Sequence, residues 1–373
     1  MKIFITIPWF TPAFKAGGPI QSIANMVVGY APANIRYYVF CSNKDLDGTA
    51  LTGITTDCWI DFNDHTKVWY SSVTSNTSNQ LHAEVSTIAP DVLFVIGLFD
   101  WYYNIVPLLF CKVPLKILSV RGMLHEGALT QKRFKKQVFI KALQWWGIQK
   151  KVKFHATDAV EAQFIKNIFG LTAQVNIAAN YPQLLAAQPL AVTKQPGTLV
   201  LCSMALISAM KNHLLVLQAL QQCTSAIDYH IYGPVKDAAY WQQCQQVILQ
   251  MPAHINVMYH GAIASDAVAA AVAASQVFIL PSKSENYGHA IIEALQIGRP
   301  VITSEHTPWQ HLANAKAGEN VPLTVDAITA AIEKFANMDA TTFQEYVEGA
   351  ADYAAYAIQQ HQLDNAYQRL FKA

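Results

Sequence analysis

Short apolar, β-branched runs alternate with helical stretches along most of the chain, and this alternation restricts the available folds more than any other feature. Lys2–Ile7, Ile35–Ser42, Val92–Ile96, Leu115–Val120 and Lys153–Thr157 read as buried strands, each followed by a turn and a helical stretch. After a Pro-containing segment, Tyr181–Gly197, the pattern resumes at Leu199–Ser203, Asp228–Tyr232, Val277–Leu280 and Pro300–Ser304. Parallel neighbours need a crossover, usually helical, so the alternation predicts a parallel sheet covered on both faces. Its renewal beyond the linker predicts a second one. The expected architecture is α/β, with two doubly wound, Rossmann-like domains facing one another across a cleft. The expected limits are residues 1–180 for the first domain, 181–196 for the linker and 197–340 for the second. The tail, Thr341–Ala373, reads as one long helix with Phe343, Tyr346, Val347, Tyr353, Ala354 and Ile358 near one stripe. An Ala-rich helical segment covers Ala262–Ser275.

The length of 373 residues suits two domains at about 150 residues each. Hydrophobic residues make up 52% and charged residues 14%, against a usual charged share of about 25%, which excludes a disordered chain. The formal net charge of +1 gives no basis for nucleic-acid binding. Six cysteines occur without a Cys-x-x-Cys pair, so they read as reduced, buried thiols rather than a zinc site or a disulfide scaffold. Met1–Pro8 is too short an apolar run for a signal peptide, and no uncharged apolar run approaches the roughly 20 residues of a membrane span. A cytoplasmic chain is expected.

In doubly wound sheets ligands bind outside the carboxyl ends of strands, where helix N-termini offer unpaired N–H groups. The loop that best fits this description follows Val277–Leu280. There Glu285, Asn286, Tyr287, Gly288 and His289 lead into a helix carrying Glu293, with Gly298 placed to end it and Pro300 opening the next strand. A carboxylate suits sugar hydroxyls because its oxygens accept hydrogen bonds from a vicinal pair. Asp45-Leu46-Asp47 imitates a metal-binding Asp-x-Asp but lacks the flanking apolar strand, and reads as surface. No other carboxylate–histidine cluster has metal-ligand spacing, so no metal is expected. Trp309 could stack on a base, and reads more simply as a buried aromatic.

The Glu285-x7-Glu293 spacing resembles the signature of the retaining family-four glycosyltransferases with the GT-B fold. The strings Ile231-Tyr-Gly-Pro, Tyr240-Trp-Gln-Gln-Cys, Glu285-Asn-Tyr-Gly-His-Ala-Ile-Ile-Glu-Ala-Leu and Thr307-Pro-Trp309 are similar to a bacterial, polysaccharide- and lipopolysaccharide-type branch of that family. So are Ala16-Gly-Gly-Pro-Ile-Gln-Ser22 and Arg121-Gly-Met-Leu124. The resemblance implies transfer of a sugar from a nucleotide-sugar to a glycan or lipid-linked acceptor, with retention of configuration. It implies a second domain that binds the donor, a first that binds the acceptor, and a tail helix crossing back onto the first. Carried over, Glu285 would contact the donor sugar and Glu293 the ribose hydroxyls. Gly288 and His289 would offer N–H groups near the diphosphate, and Lys211 would neutralise it. Gly17 and Gly18 would bring the first domain's backbone to the same diphosphate. Asn212, Gly233, Asn286 and Tyr287 complete the implied donor set, and His125 stands as a candidate for the catalytic face beside Glu285 and Lys211.

One departure is informative. The family usually places an arginine five or six residues before the lysine, whereas this chain reads Ser203-Met-Ala-Leu-Ile-Ser-Ala-Met-Lys211-Asn212. Lys283, Arg121 and Arg299 are the nearest replacements by motif. Two alternatives stay open: a nucleotide-sugar epimerase, which shares this fold and needs no acceptor, and a catalytically weak glycan- or nucleotide-binding relative, which the missing arginine favours.

Charge is unevenly spread. Lys132–Lys153 holds eight of the 26 basic residues, and no acidic residue occurs from Gly127 to Thr157. Phe134, Phe139, Trp145 and Trp146 are interleaved, the composition of a helix lying on an anionic membrane. Lys132, Arg133, Lys135 and Lys136 are the expected contact surface, on the inner membrane face.

Overall fold

The strand–helix alternation folds into two sheets. In the computed structural model, which describes residues 1–72, 77–124, 133–185, 193–263 and 267–372, the chain divides into two compact units. The first comprises Met1–Tyr181 and His361–Ala373, the second Pro182–Gln360.

The first unit contains β1 (Lys2–Thr6), β2 (Arg36–Ser42), β3 (Trp59–Asn63), β4 (Thr66–Ser71), β5 (Val92–Ile96), β6 (Leu115–Ser119), β7 (Lys153–Ala156) and β8 (Val175–Ile177). They form one sheet ordered β3-β4-β2-β1-β5-β6-β7-β8, parallel except for β3, which runs antiparallel to β4. Alternate residues of the central strands feed two cores. Phe4, Leu93 and Val95 face one, while Ile3, Ile5, Val92, Phe94 and Ile96 face the other. The first core is closed by Leu81, Val85 and Ile88 of helix Thr77–Ile88, Ile140 and Leu143 of Arg133–Trp145, and Ile165 and Phe169 of Ala159–Phe169. The second is closed by Ile23, Met26 and Val27 of helix Gly18–Gly29 and by Tyr367, Leu370 and Phe371 of Leu363–Phe371.

The second unit contains β9 (Thr198–Met204), β10 (Ala226–Tyr232), β11 (Ile255–Gly261), β12 (Val277–Leu280), β13 (Val301–Ser304) and β14 (Gly318–Val321). Its sheet is entirely parallel, in the order β11-β10-β9-β12-β13-β14. Leu199, Leu201, Ile227, Tyr229, Ile279 and Ile302 pack one face against helices His213–Leu220, Ala238–Ile248 and Val325–Ala336.

Three sequence expectations need correction. The tail is two helices, Ala340–Gln360 and Leu363–Phe371, because Gln362 adopts a left-handed conformation (φ 41°) that no helix continues through. The Ala-rich segment yields only a short helix, Val268–Ala273, with residues 264–266 outside those described. Asp45 is buried, not a surface residue: its carboxylate accepts from the backbone N–H of Phe14 (3.0 Å), Lys15 and Leu46, and only Asp47 is exposed, paired with Lys15 at 2.6 Å. Five of the six cysteines are buried and all are free thiols, and Trp309 is buried.

Candidate functional site

Strand order decides where a ligand can sit. In the second sheet β9 has β10 on one side and β12 on the other, so the chain winds in opposite directions from it and the loops after β9 and β12 diverge. A crevice outside the carboxyl ends at such a switch point is the general ligand site of open parallel sheets. Lys211 lies in the loop after β9 and Glu285 in the loop after β12. Their side chains meet at 2.5 Å, with Ser282 Oγ donating to the same Glu285 oxygen at 2.6 Å. The two loops are also tied through the backbone, since the Lys283 N–H donates to the Met210 carbonyl at 2.9 Å. Ser304 Oγ and Thr303 Oγ1, at the end of β13, donate to Ser282 O and Leu280 O and brace the β12 loop from its other side.

Helix His289–Gln296 begins where this loop ends. Gly288 is its N-cap at φ 75°, and a Cβ there would lie 3.1 Å from Ile291 Cδ1 and 3.3 Å from Trp309 Nε1. The backbone N–H groups of the first turn carry the positive end of the helix dipole. Tyr287 is buried beneath them, its ring edge-on to Trp309 and its carbonyl accepting from Trp309 Nε1. Glu293 sits one turn further along and is buried. Its carboxyl takes no hydrogen bond from a described residue, and burial pushes it up to about 7.

Asn212 precedes the helix His213–Leu220 in a left-handed conformation, φ 65°. Gly233, after β10, explains itself by packing. A Cβ there would stand 1.9 Å from the Ala205 carbonyl oxygen, so only glycine lets the β9 and β10 loops run side by side. The structure thus gathers Lys211, Asn212, Gly233, Glu285, Asn286, Tyr287, Gly288, His289 and Glu293 on one carboxyl edge of the second unit. Of the three cations suggested in place of the arginine, Arg299 is excluded. It is buried at the amino edge, with Nη2 donating to the Ala273 carbonyl at 2.7 Å. Arg121 belongs to the first unit, where it donates to Asn180 Oδ1. Lys283 alone lies on the loops at this edge, and it is exposed.

Gly17 and Gly18 lie in the first unit at the equivalent edge. Gly17 caps helix Gly18–Gly29 after the β1 loop, and a Cβ on Gly18 would meet nothing within 4 Å. Asp45 fixes that loop by the hydrogen bonds already described. His125 and Lys132 lie outside the described residues. Glu161, which sequence reasoning passed over, is buried and accepts from Thr157 N (2.7 Å), Thr157 Oγ1 (2.8 Å) and Gly122 N, clamping the loops after β6 and β7 together. Its only sequence signal is the Asp158-x-x-Glu161 spacing of a helix start. Among the described residues no group of three or more His, Cys, Asp or Glu is placed to hold a metal ion.

Residues 189–355 match the family model described as glycosyl transferases group 1. No curated protein matches the chain. Among solved structures, sucrose-phosphate synthase from Thermosynechococcus elongatus is similar at TM-score 0.73 and 15% identity, covering 99% of each chain. HepE from Anabaena, in complex with UDP and glucose, is similar at TM-score 0.71 and 13% identity over 100% of this chain and 99% of that one. A TarM mutant from S. aureus, in complex with fondaparinux, alpha-GlcNAc-glycerol and UDP, is similar at TM-score 0.71 and 11% identity over 100% of both.

Proposed function

From a chain that carries a glycosyl transferases group 1 domain at residues 189–355, and is therefore a glycosyltransferase of the GT-B fold, we propose a specific reaction. It moves a sugar from a nucleotide donor to a hydroxyl of a glycan or lipid-linked acceptor, with retention of configuration. The observation that carries this reading is the meeting of Lys211 and Glu285 at the β9–β12 switch point, beside the first turn of helix His289–Gln296. Relatives of the same fold solved with UDP support a nucleotide donor.

The chemistry follows from charge. As the bond between the anomeric carbon and the diphosphate oxygen breaks, negative charge grows on the leaving group, and the acceptor oxygen forms the new glycosidic bond as its proton passes to the departing diphosphate oxygen. Lys211 and the helix N-terminus face that charge, which lowers the barrier. Glu285 then turns from Lys211 to the hydroxyls of the donor sugar, and Glu293 accepts from the ribose. Lys283 supplies the second cation that the missing arginine leaves wanting. No metal is assigned to this chemistry.

The reading extends to place: a cytoplasmic enzyme, peripheral on the inner membrane face, acting where a lipid-linked acceptor is found. Among the described residues no helix is long and apolar enough to cross a membrane. The reaction is tested by incubating the enzyme with UDP-, GDP- and ADP-sugars with and without candidate acceptors, and measuring nucleoside diphosphate release. Release that requires acceptor, with an unchanged anomeric configuration by NMR, supports transfer. Conversion of the donor without acceptor points to an epimerase, and binding without turnover to a non-catalytic relative.

A further inference from the structure

Helix Arg133–Trp145 has two apolar faces, and among the described residues one of them is packed against the core. Ile140 and Leu143 enter the core of the first unit, and Phe139 packs against Phe99 with ring centroids 5.5 Å apart. Phe134, Val138 and Trp145 form a separate stripe at spacings of four and seven residues, which places them on one line along the helix. They are 78%, 53% and 84% exposed. Truncating such side chains would disturb no core, so packing gives no reason for their size.

The charges around the stripe have one sign. Lys141 falls on the same line between Val138 and Trp145, and Lys135 lies next to Phe134; both are exposed. Lys136, counted with them from sequence, belongs elsewhere: its ammonium sits over the Phe99 ring, 5.2 Å from the centroid, and is half-buried. Lys132 is outside the described residues, and nothing is described of the Arg133 side chain. Of the four cations expected there, Lys135 is the one whose described side chain lies beside the stripe, and Lys141 joins it. A second copy of the chain would bring like charge against like, since no acidic residue occurs from Gly127 to Thr157. An anionic bilayer satisfies both halves of the face at once, taking the aromatic groups into the headgroup–acyl boundary and the ammonium groups onto lipid phosphates.

We propose that the Phe134–Val138–Lys141–Trp145 face is the surface by which this protein docks on anionic lipid, through apolar insertion as well as charge. This rests on the membrane contact proposed above and names its surface. The helix follows the β6 loop, so its N-terminal end lies at the carboxyl edge of the first sheet, the edge where ligands of such sheets bind. A lipid-linked acceptor would then be presented from the side on which the helix lies.

The test floats the full-length protein with vesicles of phosphatidylglycerol and phosphatidylcholine, and with phosphatidylcholine alone. The wild type should float with the anionic vesicles only. The Phe134→Ser/Val138→Ser/Trp145→Ser variant should bind at least about tenfold more weakly, with its melting temperature and donor affinity kept. Quenching of tryptophan fluorescence by brominated lipid should fall sharply in Trp145→Phe, a variant that leaves the fold intact. A triple variant that floats like the wild type, or quenching unchanged in Trp145→Phe, overturns this face while leaving membrane contact standing. A wild type that never floats overturns both, and acceptor-dependent nucleotide release would still stand on its own.

Discussion

Lys211 Nζ lies 2.5 Å from Glu285 Oε1, although 74 residues separate them in the chain. The pair is the product of strand order: β9 and β12 are neighbours, and each residue sits in the loop that leaves its strand at the carboxyl end. A lysine held by a carboxylate without a ligand is placed, oriented and ready to exchange its partner for a phosphate. The exchange should show in kinetics. Lys211→Ala is expected to lower kcat/KM about a hundredfold or more, equivalent to at least ~3 kcal/mol of transition-state stabilisation. Initial rates of nucleoside diphosphate release measure it, and a variant that keeps most of its activity would falsify this loop as the phosphate site.

Glu293 should oppose folding while serving binding. Its carboxyl is pushed up to about 7 by burial, whereas an unfolded chain titrates it at about 4.3. The folded pKa is the higher one, so its favourable contribution is complete below the unfolded value and is lost as pH rises through about 7. Burying the ionised form costs on the order of 3 kcal/mol. Glu293→Gln is therefore expected to match the wild type at pH values near 4 and to exceed it in stability near pH 8. Urea unfolding at both pH values checks the sign; equal stability difference at the two would refute it.

The absent arginine gives a test in both directions. Leu206 is half-buried in the β9 loop, near the place the family's arginine would occupy, and Lys283 is the exposed cation on the facing loop. Lys283→Ala should weaken donor binding by about 1 kcal/mol or more. Leu206→Arg in the same background should recover the loss, and in the wild type should not lower activity. Donor titration by calorimetry reads both, and no change in Lys283→Ala would leave the helix N-terminus as the sole aid to Lys211.

Gly233→Ala should destabilise the second unit by more than about 3 kcal/mol, since its Cβ would lie 1.9 Å from the Ala205 carbonyl at φ 136°. Gly18→Ala, with open space around it, should stay within about 1 kcal/mol of wild type. Denaturant unfolding separates the two. A tolerant Gly233 would mean that the β9 and β10 loops can part.

Much of the framework was legible because buried strands leave continuous apolar runs. All nine strands expected from the sequence are present, β5 and β12 with the limits read from it. Two of the strands that were missed lack that signal, whereas β4, with Val68, Trp69 and Tyr70 buried, carries it and was passed over. β14 is Gly-Glu-Asn-Val, and β11 at the sheet edge leaves Asn256, Tyr259 and His260 exposed, so neither reads as a buried run. At the site, residue types and their loops were legible, but pairings were not. Nothing local couples Lys211 to Glu285, hides Arg299 at the amino edge or buries Asp45, because each is decided by which strands become neighbours. The second face of helix Arg133–Trp145 was half visible: its aromatic and basic content could be read, while the turning of Lys136 onto Phe99 depends on a segment far away in sequence.

We propose that the β9–β12 edge of the second unit binds the donor nucleotide. The most direct measurement is calorimetric titration of UDP, GDP and ADP into the wild type, Lys211→Ala and Glu293→Gln. The wild type should bind one of them, with each variant weakened by about 1–3 kcal/mol through the loss of charge or of ribose hydrogen bonds, and with the fold retained. Unchanged affinity in both folded variants would contradict the claim.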